Sequence, residues 1–211
     1  MTATPGQLKS TLARVFAYHE RAIDYPWRAL REAGLVTKGG RGRSAAKVTA
    51  RDAARLVIAV AGSVPSSEVV ASARRYGALA GDWSIQPNFS VPDWLSVSST
   101  LEDLLTAMIA AAGDGRFQAF TNEMRSPSDE NPLAPGHCFV EISLLGPFPQ
   151  ASVRVAATHG QGMAVFSEWP SDVDQIRDYK FMDADLGGLD TSRRFNDGTI
   201  KILGELIGSP E

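Results

Sequence analysis

The spacing of apolar residues changes from a helical to a strand period part-way along this chain, and that change sets the fold class. Up to about residue 112 apolar side chains recur three and four apart, as on one face of a helix; from His137 onward they alternate, as in half-buried strands. Helices first and strands after predict an α+β fold: an N-terminal helical domain of winged or helix-turn-helix type over residues 1–80, then an α+β domain with an antiparallel meander over 81–211.

Within the first part, Leu8, Leu12, Val15, Phe16, His19 and Ile23 predict one helix over residues 5–23, with His19 on its apolar side as a core or interface residue. A second helix is expected to begin at Pro26, bury Trp27 and Leu30 and stop at Gly34. Residues 36–48 carry three glycines without apolar periodicity and read as a flexible loop or small wing. Thr49 with Asp52 forms a capping box for a third helix, with Ala53, Leu56, Val57 and Val60 as its buried face until Gly62. A fourth follows Pro65, capped by Ser66 or Ser67 and burying Val69, Val70, Ala73 and Leu79.

Residues 81–99 contain two prolines with Trp83, Phe89 and Trp94 and are expected to be an ordered connector with docked aromatic rings. Thr100 and Asp103 start a strong helix through Leu101, Leu104, Leu105, Met108 and Ile109. Residues 121–136 read as an exposed loop, and 137–145, 152–158 and 163–167 as strands of a meander. A last helix over 198–207 is expected to lay Ile200, Leu203, Leu206 and Ile207 on that sheet.

Charge is divided as unevenly as period. Residues 1–80 hold 13 Lys and Arg against 5 Asp and Glu, a balance of +8, and residues 81–211 hold 8 against 19, a balance of -11. The basic excess is densest at Lys38, Arg41, Arg43, Lys47, Arg51 and Arg55, a run that attracts a polyanion. Read with the surrounding helices, it makes residues 26–62 a candidate double-stranded-DNA module: the third helix would read the groove, Arg51 and Arg55 would reach base edges, and the loop would touch phosphate or the minor groove. Arg41-Gly42-Arg43 resembles the core of an AT-hook, with Ser44 where that motif has proline.

Other chemistries find less support. The glycines after Lys38 lack P-loop spacing and follow no strand, so neither a P-loop nor a dinucleotide fingerprint is expected. His19, His137 and His159 have no metal-ligand spacing, and the acidic residues Asp172, Asp174, Asp178, Asp183 and Asp185 lack the pattern of a calcium loop; they read as a solvated acidic face. His137 and Cys138 are strand neighbours that point to opposite faces, so no thiol-imidazole pair is expected. Hence no catalytic residue, metal or cofactor is assigned. With a single cysteine, no signal-peptide pattern and no apolar stretch long enough for a bilayer, a cytoplasmic location is expected, away from membranes.

The stretch WRALREAGLVTKGGRGRSAAKVTARDAARLVIAVAGS, Trp27 to Ser63, is similar to the N-terminal segment of small proteins encoded by proteobacterial phages, prophages and phage-like elements. RRFNDGTIKILGELIG, Arg193 to Gly208, resembles their closing strand and helix. The resemblance covers about a quarter of the chain and implies a helix-turn-helix transcription regulator, with Arg41, Arg43, Lys47, Arg51 and Arg55 as candidate contacts. Such a regulator is expected to be a homodimer or higher oligomer, because one small module binds DNA weakly at physiological salt. Two alternatives stand beside it: a phage structural or packaging component that holds DNA without sequence preference, and an adaptor or inhibitor whose acidic half binds a basic protein.

Overall fold

Two kinds of layer make up the chain, helices on one side and one antiparallel sheet on the other, so the fold is α+β. The computed structural model describes residues 3–38, 47–62, 68–87, 89–96, 98–125, 136–146, 149–158, 160–167 and 191–208. In chain order the elements are α1 (Pro5–Val15), α2 (Glu20–Glu32), α3 (Ala50–Gly62), α4 (Val69–Ala78), β1 (Gly81–Ile85), α5 (Asp93–Ser96), α6 (Leu101–Gly113), α7 (Arg116–Met124), β2 (Cys138–Gly146), β3 (Gln150–Ala157), β4 (Gly160–Ser167), β5 (Thr191–Asn196) and α8 (Asp197–Gly208). Ser66 and Ser67, expected as caps, lie outside the described residues. Among the described residues no helix is long and apolar enough to cross a membrane.

The single helix expected over residues 5–23 is two helices. α1 ends in a Schellman motif: the Tyr18 N–H donates to the Ala13 carbonyl at 2.8 Å and the Ala17 N–H to Arg14 at 3.3 Å, with Ala17 left-handed at φ +53°. His19 is exposed and not a core residue; its Nδ1 accepts from the Arg21 N–H and caps α2. Pro26 therefore lies inside α2, where its ring removes one hydrogen bond. The break went unseen because its left-handed residue is alanine, which pays about 1 kcal/mol for a conformation glycine takes freely. Ala17→Gly should accordingly raise stability by about 1 kcal/mol, read as a higher midpoint in thermal unfolding.

α2 ends as the sequence indicates. Gly34 is left-handed at φ +72°, and the Leu35 N–H returns to Leu30 at 2.9 Å. The central element is α3, which packs against α2, α4, α6, α8, β2 and β5. Asp52 to Ala54 and Leu56 to Ala61 are all buried, so this helix is enclosed on nearly every side. One cluster of buried apolar residues runs from Ala3 to Leu203, and residues on both sides of position 80 contribute to it.

The sheet order is β1-β4-β3-β2-β5. β2, β3 and β4 form the expected meander, with Val153 opposite Ile142 and Ala164, and Arg154 opposite Glu141 and Met163. Val140, Ile142, Leu144, Val153, Val155, Ala164 and Phe166 face the helices, while Phe139, Arg154, Met163 and Val165 point outward and are exposed. β1 replaces the start of the expected connector; its five residues, GDWSI, pair with β4 on an edge and are too polar to signal a strand. The connector's aromatic rings do dock: the Trp83 Nε1–H donates to Leu95, and Trp94 lies 6.1 Å from Phe120 and 6.4 Å from Phe117. α7 occupies the start of the expected loop over 121–136; residues 126–135 lie outside the described set. α8 packs chiefly on α6 and only lightly on the sheet, because glycines let the two helices touch along their backbones.

Candidate nucleic-acid interface

The basic segment is held at both ends by one buried carboxylate. Asp52, 3% exposed, sits in the first turn of α3, and its Oδ1 accepts from the Thr37 N–H at 2.8 Å. Its Oδ2 accepts from the Thr37 hydroxyl at 2.8 Å, the Thr49 N–H at 2.8 Å and the Thr49 hydroxyl at 3.0 Å. The Thr49 hydroxyl in turn accepts from the Asp52 N–H at 3.1 Å, completing the capping box read from sequence. Beside these bonds, Val36 and Val48 are buried at 4% and 5%, and the Val48 N–H donates to Ala3. Both stems of residues 39–46 are thereby fixed to the fold.

Each candidate contact has a place. Lys38 and Lys47 are exposed where the two stems leave the clamp. Arg41 and Arg43 lie outside the described residues. Arg55 is engaged inside the protein: its Nε and Nη2 grip Glu102 at 2.9 and 2.8 Å, and its Nη1 donates to the Leu35 carbonyl. With Arg55 25% exposed and Glu102 18%, this two-point pair joins the end of α2, α3 and the first turn of α6. Arg51 pairs with Asp103 at 2.8 Å and approaches Glu102 at 3.5 Å, its side chain half exposed. The structure thus separates the four described residues into two exposed lysines at the clamp and two arginines tied to acidic residues of the second half.

A second basic row lies on α2, where the expectation of a helix starting at Pro26 had hidden it. Arg21, Tyr25 and Arg28, at i, i+4 and i+7, lie on one exposed side, and Arg31 continues it one turn later. The Arg28 guanidinium lies over the Tyr25 ring at 5.9 Å. Asp24 beside them is paired with Lys9 of α1, and that contact holds its carboxyl below the ordinary range; the Glu20 carboxylate accepts from the Ser10 hydroxyl at 2.6 Å. With those acids paired, the exposed side carries three arginines and one further acid, Glu32, four residues after Arg28. The opposite side of α2 buries Ile23, Trp27 and Leu30. Sequence carried part of a signal for this start: Glu20 opens a 3.6-residue pattern, as acids do in a first turn, but the cap before it is His19 and not Ser, Thr, Asp or Asn.

Cys138 is half-buried, and burial pushes its thiol up, with Asp197 adding to the rise and Arg125 opposing it. His137 is exposed, and its backbone N–H and carbonyl bond Thr158. Fewer thiolates at a given pH mean slow alkylation: iodoacetamide near pH 8 should modify Cys138 more slowly than free cysteine, the difference vanishing in denaturant. The acidic residues between 172 and 185 lie outside the described residues, and no cluster of metal-ligating side chains occurs among the described ones. Comparisons with protein-family models, curated proteins and solved structures find no match for this chain.

Proposed function

We propose that this protein binds double-stranded DNA as a bacterial or phage transcription regulator, with α1, the four-residue turn 16–19 and α2 as its helix-turn-helix and α2 as the helix offered to the groove. The observation that carries the reading is the row Arg21, Tyr25, Arg28 and Arg31 on a helix whose other side is buried. A reading helix needs that division: one face fixed in the protein, the other free and basic. α3 lacks it, since its apolar surface is enclosed and Arg55 spans Glu102 and Leu35; in this reading Arg51 and Arg55 fix α3 to α6 and do not read bases. Lys38 and Lys47, with Arg41 and Arg43 between them, serve as phosphate or minor-groove contacts next to α2, much as a wing does. A two-fold dimer belongs to the proposal, because a handful of phosphate contacts from one module binds weakly at physiological salt.

Selection of the purified protein on random duplex DNA at about 0.15 M salt tests this, since weak electrostatic binding is screened there. An enriched motif is expected. The variant carrying Arg21→Ala, Arg28→Ala and Arg31→Ala should lose about 30-fold in affinity for it, whereas Arg51→Ala should stay within about threefold. Binding without enrichment would favour a packaging role, and equal binding by the triple variant would remove α2 from the interface.

A further inference from the structure

We infer that the cleft between the end of α1, the end of α3 and β5 is a binding site for a small planar aromatic carboxylate. It encloses about 300 Å³, the lower end of the range for small-molecule sites. Its walls combine two kinds of group that seldom meet by accident. Phe16 stands 6.0 Å from Phe195 and 6.1 Å from Tyr18, giving three rings around one opening, with Val60 closing the apolar side. Tyr18 is 42% exposed, a large ring surface left facing solvent. Arg193 and Arg194 of β5 also line the cleft, and of their side chains Arg193's lies on the helix-facing side with Phe195, because strand neighbours point to opposite faces.

The two arginines are held differently. Arg193 donates one N–H to the Val60 carbonyl at 2.7 Å, which anchors its plane at the end of α3 and leaves further donors on the same fork. Arg194 is 65% exposed and turned toward Glu141, 3.9 Å away on the other face of the sheet, so the cation of the cleft is Arg193. None of the described residues lining the cleft is acidic. Rings accept a flat apolar body, and a guanidinium fork accepts a carboxylate, so the chemistry selects a molecule with both parts. The volume suits one or two fused rings. A further cleft, at Thr37, Thr49 and Asp52, has its carboxylate bonded and belongs to the clamp already described.

Binding can be measured on the full chain without DNA, so this inference stands apart from the DNA reading. Calorimetric titration with benzoate, salicylate and indole-3-acetate should give saturable one-site binding by at least one of them, and cyclohexanecarboxylate, which keeps the charge and loses the flat ring, should bind about tenfold or more weaker. Tyr18→Ala, at an exposed position and expected to fold, and Arg193→Lys, which keeps the charge and loses the fork, should each weaken the aromatic acid about tenfold. The proposal is overturned if none of the three acids saturates below about 10 mM, if the non-aromatic acid binds equally, or if both variants bind as the parent does.

Discussion

Asp52→Ala is expected to lower the stability of the protein by about 4 kcal/mol, the largest effect of any single change to the basic segment's supports. Asp52 is 3% exposed and accepts four hydrogen bonds, two from backbone N–H groups and two from hydroxyls. Hydrogen bonds to an ionised acceptor are worth about 1.5–3 kcal/mol each, and each backbone N–H left without a partner in a buried place costs about 1–3 kcal/mol. The two hydroxyls can turn elsewhere and the cleft beside them can admit water, so the sum falls well short of four full bonds. The carboxylate also faces the positive end of α3, a favourable position that alanine gives up. Asp52→Asn should lose about half as much, since its amide oxygen can still accept from Thr37 while its NH2 meets the Thr49 N–H donor to donor. Urea unfolding with an unchanged slope and a lower midpoint reads this out, and a loss below about 1 kcal/mol would show that the two stems are held by Val36 and Val48 alone.

What the sequence made legible depended on whether the deciding interaction was local. The capping box of Thr49 and Asp52, the Gly34 cap and the alternation of Val153 and Val155 with Arg154 are set within a few residues, and all three appear in the structure as read. The division of α1 from α2 is local too, but its left-handed residue is Ala17 and not the glycine that marks such a turn. That one missing marker displaced the start of α2 and concealed the Arg21, Tyr25 and Arg28 row. The pairing of Arg55 with Glu102 joins positions 47 residues apart, and no pattern along the chain announces it. Counted by residue number, the first 80 positions are strongly basic; counted in space, Arg51 and Arg55 meet Asp103 and Glu102 where α3 packs on α6. A charge balance along a sequence is thus an upper bound on the field its surface can offer, and the arginines that remain for a partner are those with solvent before them.

Gly204→Val should cost about 4 kcal/mol, and Gly204→Ala about half of that, although alanine is the better helix former by about 1 kcal/mol. The reversal comes from the contact between α8 and α6. A Cβ at position 204 would stand 2.3 Å from the Ala112 Cβ and 2.7 Å from both the Ala112 carbonyl carbon and the Gly113 nitrogen. Two of those atoms are backbone and cannot rotate aside, so the helices must separate. One turn on, a Cβ at Gly208 would meet the Gly113 Cα at 2.3 Å, so tilting α8 about its end gives no relief. Separation also lifts Ile200 and Leu203, both fully buried, away from their neighbours, adding a cavity to the clash. Valine adds further bulk and the lower helix propensity of a branched side chain. Gly6→Ala supplies the contrast: it lies in the first turn of α1, its nearest foreign atom would be the Thr4 hydroxyl at 3.9 Å, and the change should be neutral or gain up to about 1 kcal/mol. Equal effects at the two positions in thermal unfolding would mean that α8 rests on α6 loosely; a loss confined to position 204 would fix backbone contact as what seats the C-terminal helix, and with it β5 and Arg193 of the cleft.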